Sequence, residues 1–582
     1  MRVRRPGTAG PTCHVFSPPA CRPYHWPEVI PRLFFPRALT VALVMVVAAT
    51  ACSSGPVLTQ GPRLAKTQAL RVLIDDQPQT LDPGQAQYGF ETSVLRVIAE
   101  PLLKPKDDLS GVVPAAAESY DVSADGMQYV FHLRKDGEWW DGTPVRAQDF
   151  IYAWRRLIDP RLAAPTGTFF AGAIYNGDRV SILDPQRDAG KIDAGLNSLG
   201  LTAPDDFTLQ VRLARPDPAF VWLAAMPAAA PIRQDVVAKN GDKWSLSPDT
   251  LVTNGPFRVT FMAADHLTLE PNPHHPGPKP TLTSITFQVV KDGASALDQF
   301  RSGAIDVMDV QPTQASAIAS DTQLAKDLTR TPALTVYWIA FHVPSARLAK
   351  PKVREAIAEA IDRKAFVERV LQGQGQPAQT FIPEGMHGYA PELGQPQKFD
   401  AAQAHATLAA AGVSAAQLSG VRLSFDNTSE FSKATAAFIH DQLKANLGVN
   451  VAMVPLDPNT LGSRLESGDF DMAGPLGWSA DYPDPADWFQ IFLTTNSYNY
   501  SLYQSSRYDA LVNAAATDTN PSRRDGEYTQ AQKQLVADSP VAFLAQSVGW
   551  FLVQPWVHGA TSSSAGDWPG QLSAQQVYIT DH

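Results

Sequence analysis

The first half of the chain mixes strand-like and helix-like hydrophobic patterns. The apolar run Ala69–Ile74 predicts a buried strand, and Thr92–Leu103 places its apolar residues on one side of a predicted helix. Apolar and polar positions alternate between residues 128 and 134, which predicts one strand of a hairpin whose turn is Ser123–Gly126. Ala147–Leu157 then repeats its apolar residues at helical spacing. Strand-like and helix-like periods therefore both occur within this stretch.

The second half predicts longer elements in a regular order. Lys352–Leu371 and Thr435–Leu447 are amphipathic, and Gly448 supplies a C-terminal cap for the second of these helices. Val421–Phe425 and Val449–Val454 predict strands before and after it. A strand–helix–strand order favours a mainly parallel sheet in this part of the chain.

The N-terminal 51 residues have the pattern of a secretion signal. Arginines precede the apolar run Ala38–Ala51, which fits a signal peptide and is too short to span a membrane. The small residues of Ala49–Cys52 resemble a lipobox, so we expect cleavage before Cys52 and lipidation of its thiol, followed by a tether over residues 52–68. The alternative is ordinary cleavage with an unmodified cysteine. The proline-rich residues 1–31 are unusual for a signal peptide and suggest that translation starts further downstream.

Composition excludes several classes of function. The chain has 582 residues, enough for two or three domains, and a net charge of −10. The first 51 residues hold six Arg and one Glu, so their removal leaves a charge of −15 and a single cysteine. One cysteine permits neither an internal disulfide nor a cysteine-cluster zinc site. The negative charge argues against nucleic acid as a partner and favours cationic or zwitterionic ligands.

A search for catalytic motifs finds none of the common ones. The chain lacks Gly-x-Ser-x-Gly and His-Glu-x-x-His, and Gly190-Lys191 is followed by Ile192, which excludes a P-loop. His274-His275 lies in a proline turn and is expected to be a solvent-exposed loop without a metal. The sequence therefore favours a protein that is not an enzyme and that needs no cofactor.

The stretch Gly477–Pro485 has the most suggestive chemistry. It places Trp478 close to Asp481, and two prolines stiffen the turn that follows. A carboxylate held in a stiff, non-helical turn is a suitable partner for an ammonium group. The alternative is that Asp481 or Asp484 only caps the next helix.

Residues 114–160 combine several short motifs that together resemble one protein family. The order Ala-Glu-Ser-Tyr, Asp-Gly, Tyr-x-Phe-x-Leu-Arg, Trp-x-Asp-Gly-Thr-Pro-Val and Ala-x-Asp-Phe-x-Tyr-x-Trp resembles family 5 of the bacterial extracellular solute-binding proteins. These are the peptide-binding proteins of ABC importers, and the chain is particularly similar to oligopeptide-binding proteins. Thr253–Phe257, Phe300–Asp306, Val353–Arg363 and Gly477–Pro485 resemble later blocks of the family in the same order. The resemblance covers roughly residues 70 to 582.

This resemblance implies a fold. It is the type II periplasmic-binding-protein-like α/β fold, in which two lobes are joined by a hinge and an extra domain is added to the first. The implied first lobe combines residues 69–99, 234–335 and 549–582, with the extra domain at 100–233 and the second lobe at 336–548. Two crossing segments would form the hinge, and a ligand would close the lobes.

The resemblance also implies a ligand site. Asp481 would bind the amine of a peptide, while Gly477, Trp478 and Ser479 would lie along its backbone. The other implied ligand residues are Asn499 and Tyr500 from the second lobe and Gln87, Gly89 and Thr166 from the first.

Two departures from the family pattern concern charge. Gln87 and Ala340 stand where relatives carry acidic residues, and Arg507 is the one Arg or Lys between Phe470 and Tyr508. The sequence thus supports recognition of an amine, whereas it leaves recognition of a ligand carboxylate and the length of the ligand open.

The implied function is capture of peptides outside the cytoplasm and their delivery to an ABC permease. The expected protein is a monomer that contacts the membrane through its lipid alone. Three alternatives remain open: a non-peptide solute such as a nickel chelate, haem or an oligosaccharide; an envelope lipoprotein that regulates or binds a partner; and a secreted hydrolase.

Overall fold

A computed structural model describes residues 63–560 and 574–582, where strands and helices alternate along the chain. The strands are β1 (Ala69–Ile74), β2 (Leu103–Pro105), β3 (Val112–Pro114), β4 (Ala117–Val122), β5 (Gln128–Leu133), β6 (Leu201–Asp205), β7 (Thr208–Arg212), β8 (Phe257–Met262), β9 (His266–Pro271), β10 (Ser284–Val289), β11 (Val307–Asp309), β12 (Leu328–Phe341), β13 (Gly375–Pro377), β14 (Arg422–Asp426), β15 (Ala452–Leu456), β16 (Met472–Ser479), β17 (Val541–Val553), β18 (Val557–His558) and β19 (Tyr578–Ile579).

The helices follow the same numbering. They are α1 (Gly89–Ile98), α2 (Ala147–Ile158), α3 (Gly167–Ala173), α4 (Gly177–Ser181), α5 (Ala189–Asn197), α6 (Phe220–Leu223), α7 (Gln234–Asn240), α8 (Gly293–Arg301), α9 (Pro312–Ser320), α10 (Pro351–Glu359), α11 (Arg363–Arg369), α12 (Ala401–Ala410), α13 (Ala415–Leu418), α14 (Glu430–Leu447), α15 (Pro458–Ser467), α16 (Pro485–Phe489), α17 (Ser506–Thr517) and α18 (Pro521–Asp538). The predicted signal peptide and Cys52 lie outside the described residues.

A mixed sheet runs through the molecule in the order β15-β14-β16-β12-β17-β11-β1-β10-β9-β8, with β13 added beside β17. The long strands β12 and β17 pair antiparallel at its centre, and β17 also pairs with β11 near its end. These two strands carry the chain between the two ends of the sheet, as expected of crossing segments at a hinge. The predicted strand–helix–strand unit is parallel, since β14 pairs parallel with β15 and also with β16. Strand β12 pairs antiparallel with β16 and β17, so the sheet in this part of the chain is mixed rather than mainly parallel.

Most predicted elements are present, and the differences lie at their ends. Strand β1 has the predicted bounds, and α2 and α14 contain the predicted helices. The first helix ends at Ile98 rather than Leu103, because Pro101 cannot continue it and the chain then enters β2. The predicted helix Lys352–Leu371 is two helices, since the Asp362 side chain caps a new start by accepting from the Ala365 N–H at 3.0 Å.

Apolar side chains pack on both faces of the second-lobe end of the sheet. Ile357, Ile439 and Leu443 belong to the core on one face, while Trp488 and Tyr508 belong to the core on the other. The second core contains α16, which directly follows the predicted ligand segment. The position of this segment is therefore set by core packing.

The two adjacent histidines were expected to be exposed, and for His275 this expectation is wrong. The His275 side chain is 6% exposed, and its Nε2 lies 2.8 Å from Oε2 of Glu100. Nζ of Lys104 lies 2.8 Å from the same oxygen and is also buried. His274 stays partly exposed beside Glu138. The pattern of the turn could not reveal a buried acidic partner that lies 175 residues earlier.

Within residues 63–560 and 574–582, no helix is long and apolar enough to cross a membrane. The same residues contain no group of three or more His, Cys, Asp or Glu arranged to hold a metal ion.

Candidate ligand-binding site

Gly477, Trp478 and Ser479 are the last residues of β16 and lie beside the central strand β12. The Ser479 Oγ is 2.8 Å from the Oγ1 of Thr335, which fixes the end of the strand. A Cβ atom added at Gly477 would lie 2.9 Å from Cδ1 of Tyr337, closer than a side chain is normally found. Gly477 and Ser479 are exposed and Trp478 is half-buried, so the strand offers an open backbone with one large ring.

Asp481 occupies the turn between β16 and α16. Its side chain is accessible to water, yet burial among the surrounding protein raises its pKa to about 6. Both facts hold for a group on the wall of a cleft, which water reaches from one side only. Asp484, and not Asp481, caps α16, because its side chain accepts the Ala486 N–H at 2.8 Å. The capping explanation therefore applies to Asp484 and leaves the Asp481 carboxylate available.

Asp487 is a site residue that sequence reasoning missed. It is fully buried in α16, and its Oδ2 accepts hydrogen bonds from the Trp478 indole at 3.1 Å and from the Asp481 N–H at 3.0 Å. Burial, with the Asp481 carboxyl as the next cause, raises the pKa of Asp487 well above its usual value. The one signal in the sequence for this residue is its position, since it is acidic and lies in the first turn of the helix after the ligand segment.

Aromatic rings extend from Trp478 along the wall of the site. The ring of Tyr498 meets Trp478 edge-on at 5.3 Å between centroids, and Tyr500 meets Tyr498 in the same way at 6.5 Å. Tyr500 was predicted from the resemblance, whereas Tyr498 was missed, although it is 41% exposed. The alternation Tyr-Asn-Tyr indicates that both rings lie on the same side of this segment.

Asn499 has its side chain occupied by its own loop. Its Nδ2 donates to the carbonyl oxygens of Leu493 and Tyr503 at 3.2 and 2.8 Å, and its Oδ1 accepts the Tyr503 N–H at 3.1 Å. The residue is 4% exposed. These bonds shape the loop that presents Tyr498 and Tyr500, and a direct ligand contact by Asn499 stays a prediction.

Gln87 and Gly89 lie on an exposed loop at the start of α1 in the first lobe. Glu91, which is 1% exposed, fixes this loop by accepting the backbone N–H groups of Gln79 and Gln87 at 3.1 and 2.8 Å. The loop is thus held by a buried carboxylate, while its outer surface is left for solvent or ligand.

Thr166 directly precedes α3, where it is half-buried. Phe169, three residues later, meets the ring of Tyr482 edge-on at 6.0 Å, and Tyr482 directly follows Asp481. The structure therefore brings the helix that follows Thr166 against the turn that carries Asp481. Tyr482 packs against the core that contains α1 and α2, whereas α16, which follows it closely in the chain, belongs to another core.

Carboxyl groups outnumber guanidinium groups beside the site. Asp484 forms a buried ion pair with Arg524, with Oδ1 to Nη2 at 2.5 Å and side chains that are 8% and 9% exposed. Burial, together with Asp484, raises the pKa of Asp217 to about 6. Ala340, which the resemblance places at an acidic position of the family, is 1% exposed within a core. The local charge suits a cationic group of a ligand.

A cavity of about 340 Å³ lies elsewhere on the second lobe. Its lining includes Gln379, Tyr389, Glu392 and Gln546 and none of the predicted ligand residues. The predicted ligand residues therefore lie outside this cavity.

Comparisons with known proteins show which proteins the chain resembles. The model of the bacterial extracellular solute-binding proteins, family 5, matches residues 111–500. The chain is 30% identical over 551 residues to the periplasmic murein peptide-binding protein MppA of Escherichia coli, which covers 92% of this chain and 98% of that protein. It is 31% identical over 557 residues to the periplasmic oligopeptide-binding protein OppA of Salmonella typhimurium, covering 93% and 97%.

Solved structures give the same result. The unliganded open form of the murein tripeptide-binding protein MppA has a TM-score of 0.77 at 29% identity and covers 90% of this chain and 99% of its own. OppA of Haemophilus influenzae in complex with the peptide RPPGFSPFR has a TM-score of 0.66 at 25% identity and covers 89% and 100%. The predicted two-lobe α/β fold is confirmed, while the exact boundaries of the lobes stay a prediction.

Proposed function

The chain belongs to family 5 of the bacterial extracellular solute-binding proteins, and we propose that it binds peptides by their free amino terminus. The observation that carries this proposal is the state of Asp481. Its carboxyl group is open to water and is not used as a helix cap, and the half-buried residues Trp478 and Tyr482 precede and follow it in the chain. An ammonium group placed there would gain a charged hydrogen bond in a partly enclosed site.

The same strand suits a peptide backbone. Gly477 and Ser479 expose the end of β16, and roomy, water-filled surroundings would accept varied side chains. The ligand would be released without any chemical change, because the family is one of binding proteins rather than of enzymes. We propose that the protein works as a monomer outside the cytoplasm, held to the membrane by a lipid on Cys52, and delivers its ligand to an ABC permease.

Thermal unfolding of the chain from Ser53 onward, with a panel of ligands, tests the proposal. The panel contains di-, tri- and pentapeptides, each with a free and an acetylated amine, together with nickel, haem and cellobiose. A ligand at 100 times its Kd adds about 2.7 kcal/mol to the free energy of unfolding. Stabilisation by free-amine peptides alone is the expected result. No stabilisation by any peptide, after removal of co-purified ligand, would refute the proposal and favour a regulatory lipoprotein.

Asp481→Asn is expected to weaken the binding of free-amine peptides by about 1.5–3 kcal/mol, which raises Kd by about 10- to 150-fold. The amide keeps the shape and loses the charge that pairs with the ammonium group. Calorimetric titration at pH 7.5 measures the loss, and Asp441→Asn, at a side chain that is 78% exposed, is the matched control. Acetylated peptides should bind both proteins equally. Unchanged affinity for the free-amine peptide would remove Asp481 from the site.

Phe169→Ala is expected to weaken peptide binding by about 0.5–1.5 kcal/mol, the contribution of an edge-to-face aromatic pair. Its ring joins the first lobe to Tyr482 beside the amine site, so its loss should favour the open state. Peptide titration measures the effect, and Phe261→Ala, at a residue that is 47% exposed on β8, is the control. Equal losses in both variants would argue against a role of this contact in closure.

A further inference from the structure

We propose that Asp487 is the positioning residue of the amine site, where one carboxyl oxygen holds both the Trp478 indole and the Asp481 backbone in place. The proposal rests on the proposed function, since it gives the amine site a second residue. Asp487 is fully buried and therefore acts on a ligand through these two residues rather than by touching it.

The geometry supports this role directly. The Oδ2 atom lies 3.1 Å from Nε1 of Trp478, which belongs to β16, and 3.0 Å from the backbone nitrogen of Asp481 in the turn. The same oxygen thus ties the end of the strand to the turn and to α16. A binding residue keeps its productive geometry only when packing and hydrogen bonds from supporting groups hold it in place.

The second carboxyl oxygen shows which form of Asp487 is compatible with this role. Oδ1 is buried and has no hydrogen-bond partner among the described residues. A charged oxygen left buried and unpaired is costly, whereas a neutral carboxylic acid costs less. The positioning role needs a single acceptor at Oδ2, and either a protonated acid or an amide provides one.

Several charged and titratable groups face Asp487. Asp481 and Asp484 add negative charge, and Arg524 on α18 neutralises Asp484 in a buried ion pair. Tyr482 faces it from the same turn. Tyr508 on α17 and Tyr528 on α18 pack against α16, and burial raises the pKa of all three tyrosines above the usual value. Asp481 is thus the neighbouring group whose charge changes near neutral pH.

This arrangement couples amine binding to protons. Two neighbouring carboxyl groups in a partly enclosed site resist carrying two negative charges. An arriving ammonium group compensates one of them and lowers both pKa values, so binding releases protons and the affinity rises with pH. Asp487 is the neutral member of this pair, so replacing it by Asn leaves the rise in affinity with pH in place.

The binding test uses trialanine and N-acetyl-trialanine with the chain from Ser53 onward, between about pH 5 and 8. Asp487→Asn should bind trialanine within about threefold of the wild type at pH 7.5 and keep the wild-type rise in affinity with pH, because its amide oxygen accepts both bonds as the neutral acid does. In Asp487→Ala, the affinity for trialanine should fall at least about tenfold and that for the acetylated peptide should fall less, while the affinity of Asp441→Asn stays unchanged. A loss in Asp487→Asn as large as that in Asp487→Ala, or unchanged trialanine affinity in Asp487→Ala, would overturn the proposal.

A second measurement needs no ligand. The indole N–H resonance of Trp478, identified by its loss in Trp478→Phe, should keep its wild-type position in Asp487→Asn and move in Asp487→Ala, where the acceptor is absent. A resonance that stays at the wild-type position in Asp487→Ala would overturn the role of Asp487. If the wild type binds no peptide at all, the proposed function fails, while this resonance still decides whether Asp487 holds the indole.

Discussion

Replacing Arg524 by Met should lower the free energy of unfolding by about 3–5 kcal/mol, because it leaves the Asp484 carboxylate buried without its partner. The two side chains are 9% and 8% exposed and form two bonds, at 3.1 and 2.5 Å. Arg524 also donates to the Ala515 carbonyl at 3.2 Å and lies over the ring of Tyr528 at 5.0 Å. The ion pair therefore joins the turn after Asp481 to α18.

Denaturant unfolding measures this loss, and peptide titration should show weaker binding in the same variant because the turn is no longer fixed. Arg187→Met is the control, since its pair with Asp184 is exposed and should contribute less than about 1 kcal/mol. The double variant Asp484→Ser with Arg524→Met removes both charges and keeps a capping hydroxyl, so it should recover a large part of the loss. A single variant as stable as the wild type would contradict the importance of the pair.

Glu100→Gln is expected to cost a similar amount, about 3–5 kcal/mol at pH 7, because Lys104 then stays buried with its charge uncompensated. Burial by itself raises the pKa of a carboxyl group, but Lys104 and His275 outweigh it and lower the pKa of Glu100 to about 2. Asn254 fixes the same residue by binding its backbone N–H and carbonyl at 2.9 and 2.8 Å.

The direction of the pH dependence follows from this lowered pKa. The ordinary pKa of a glutamate carboxyl group is 4.5. The ionised Glu100 therefore stabilises the folded state by about 3 kcal/mol above pH 4.5, and this stabilisation is lost as the pH falls towards 2. The difference in stability between the wild type and Glu100→Gln should therefore narrow over that range in acid denaturation. Glu368→Gln, at an exposed pair with Lys364, is the control. A constant difference down to pH 2 would contradict the account.

Local pattern was a good guide wherever one element could bury its own apolar face. Ala69–Ile74 forms a strand with the predicted bounds, and the helix closed by Gly448 ends as predicted with that glycine at φ +70°. The predicted helix 352–371 failed at Asp362, because the side chain of an aspartate can cap a new helix where the apolar period simply continues. The spacing of apolar residues alone does not reveal such a break between two helices.

The family blocks show a second limit of sequence reasoning. Asn254, Asp306 and Arg363 each stand in a block that marked the resemblance, yet each is buried and binds within the fold. Asp306 accepts from Arg71 and Trp556, and Arg363 donates to backbone carbonyls including that of Phe543 at 2.8 Å. These three blocks helped to identify the family because they hold the fold together, and they gave no direct information about the ligand.

The sequence alone determined the fold class, most of the elements, and the segment that contains Asp481, since these depend on periodicity and motifs between residues close in the chain. Only the tertiary structure assigned the three acidic residues of that segment: Asp484 caps a helix, Asp487 holds the indole, and Asp481 stays open to water. Likewise, it alone placed Phe169 on Tyr482 and His275 on Glu100. The physical reason is that the role of a carboxyl group follows from its burial and its partners, and both are set by residues far away in the chain.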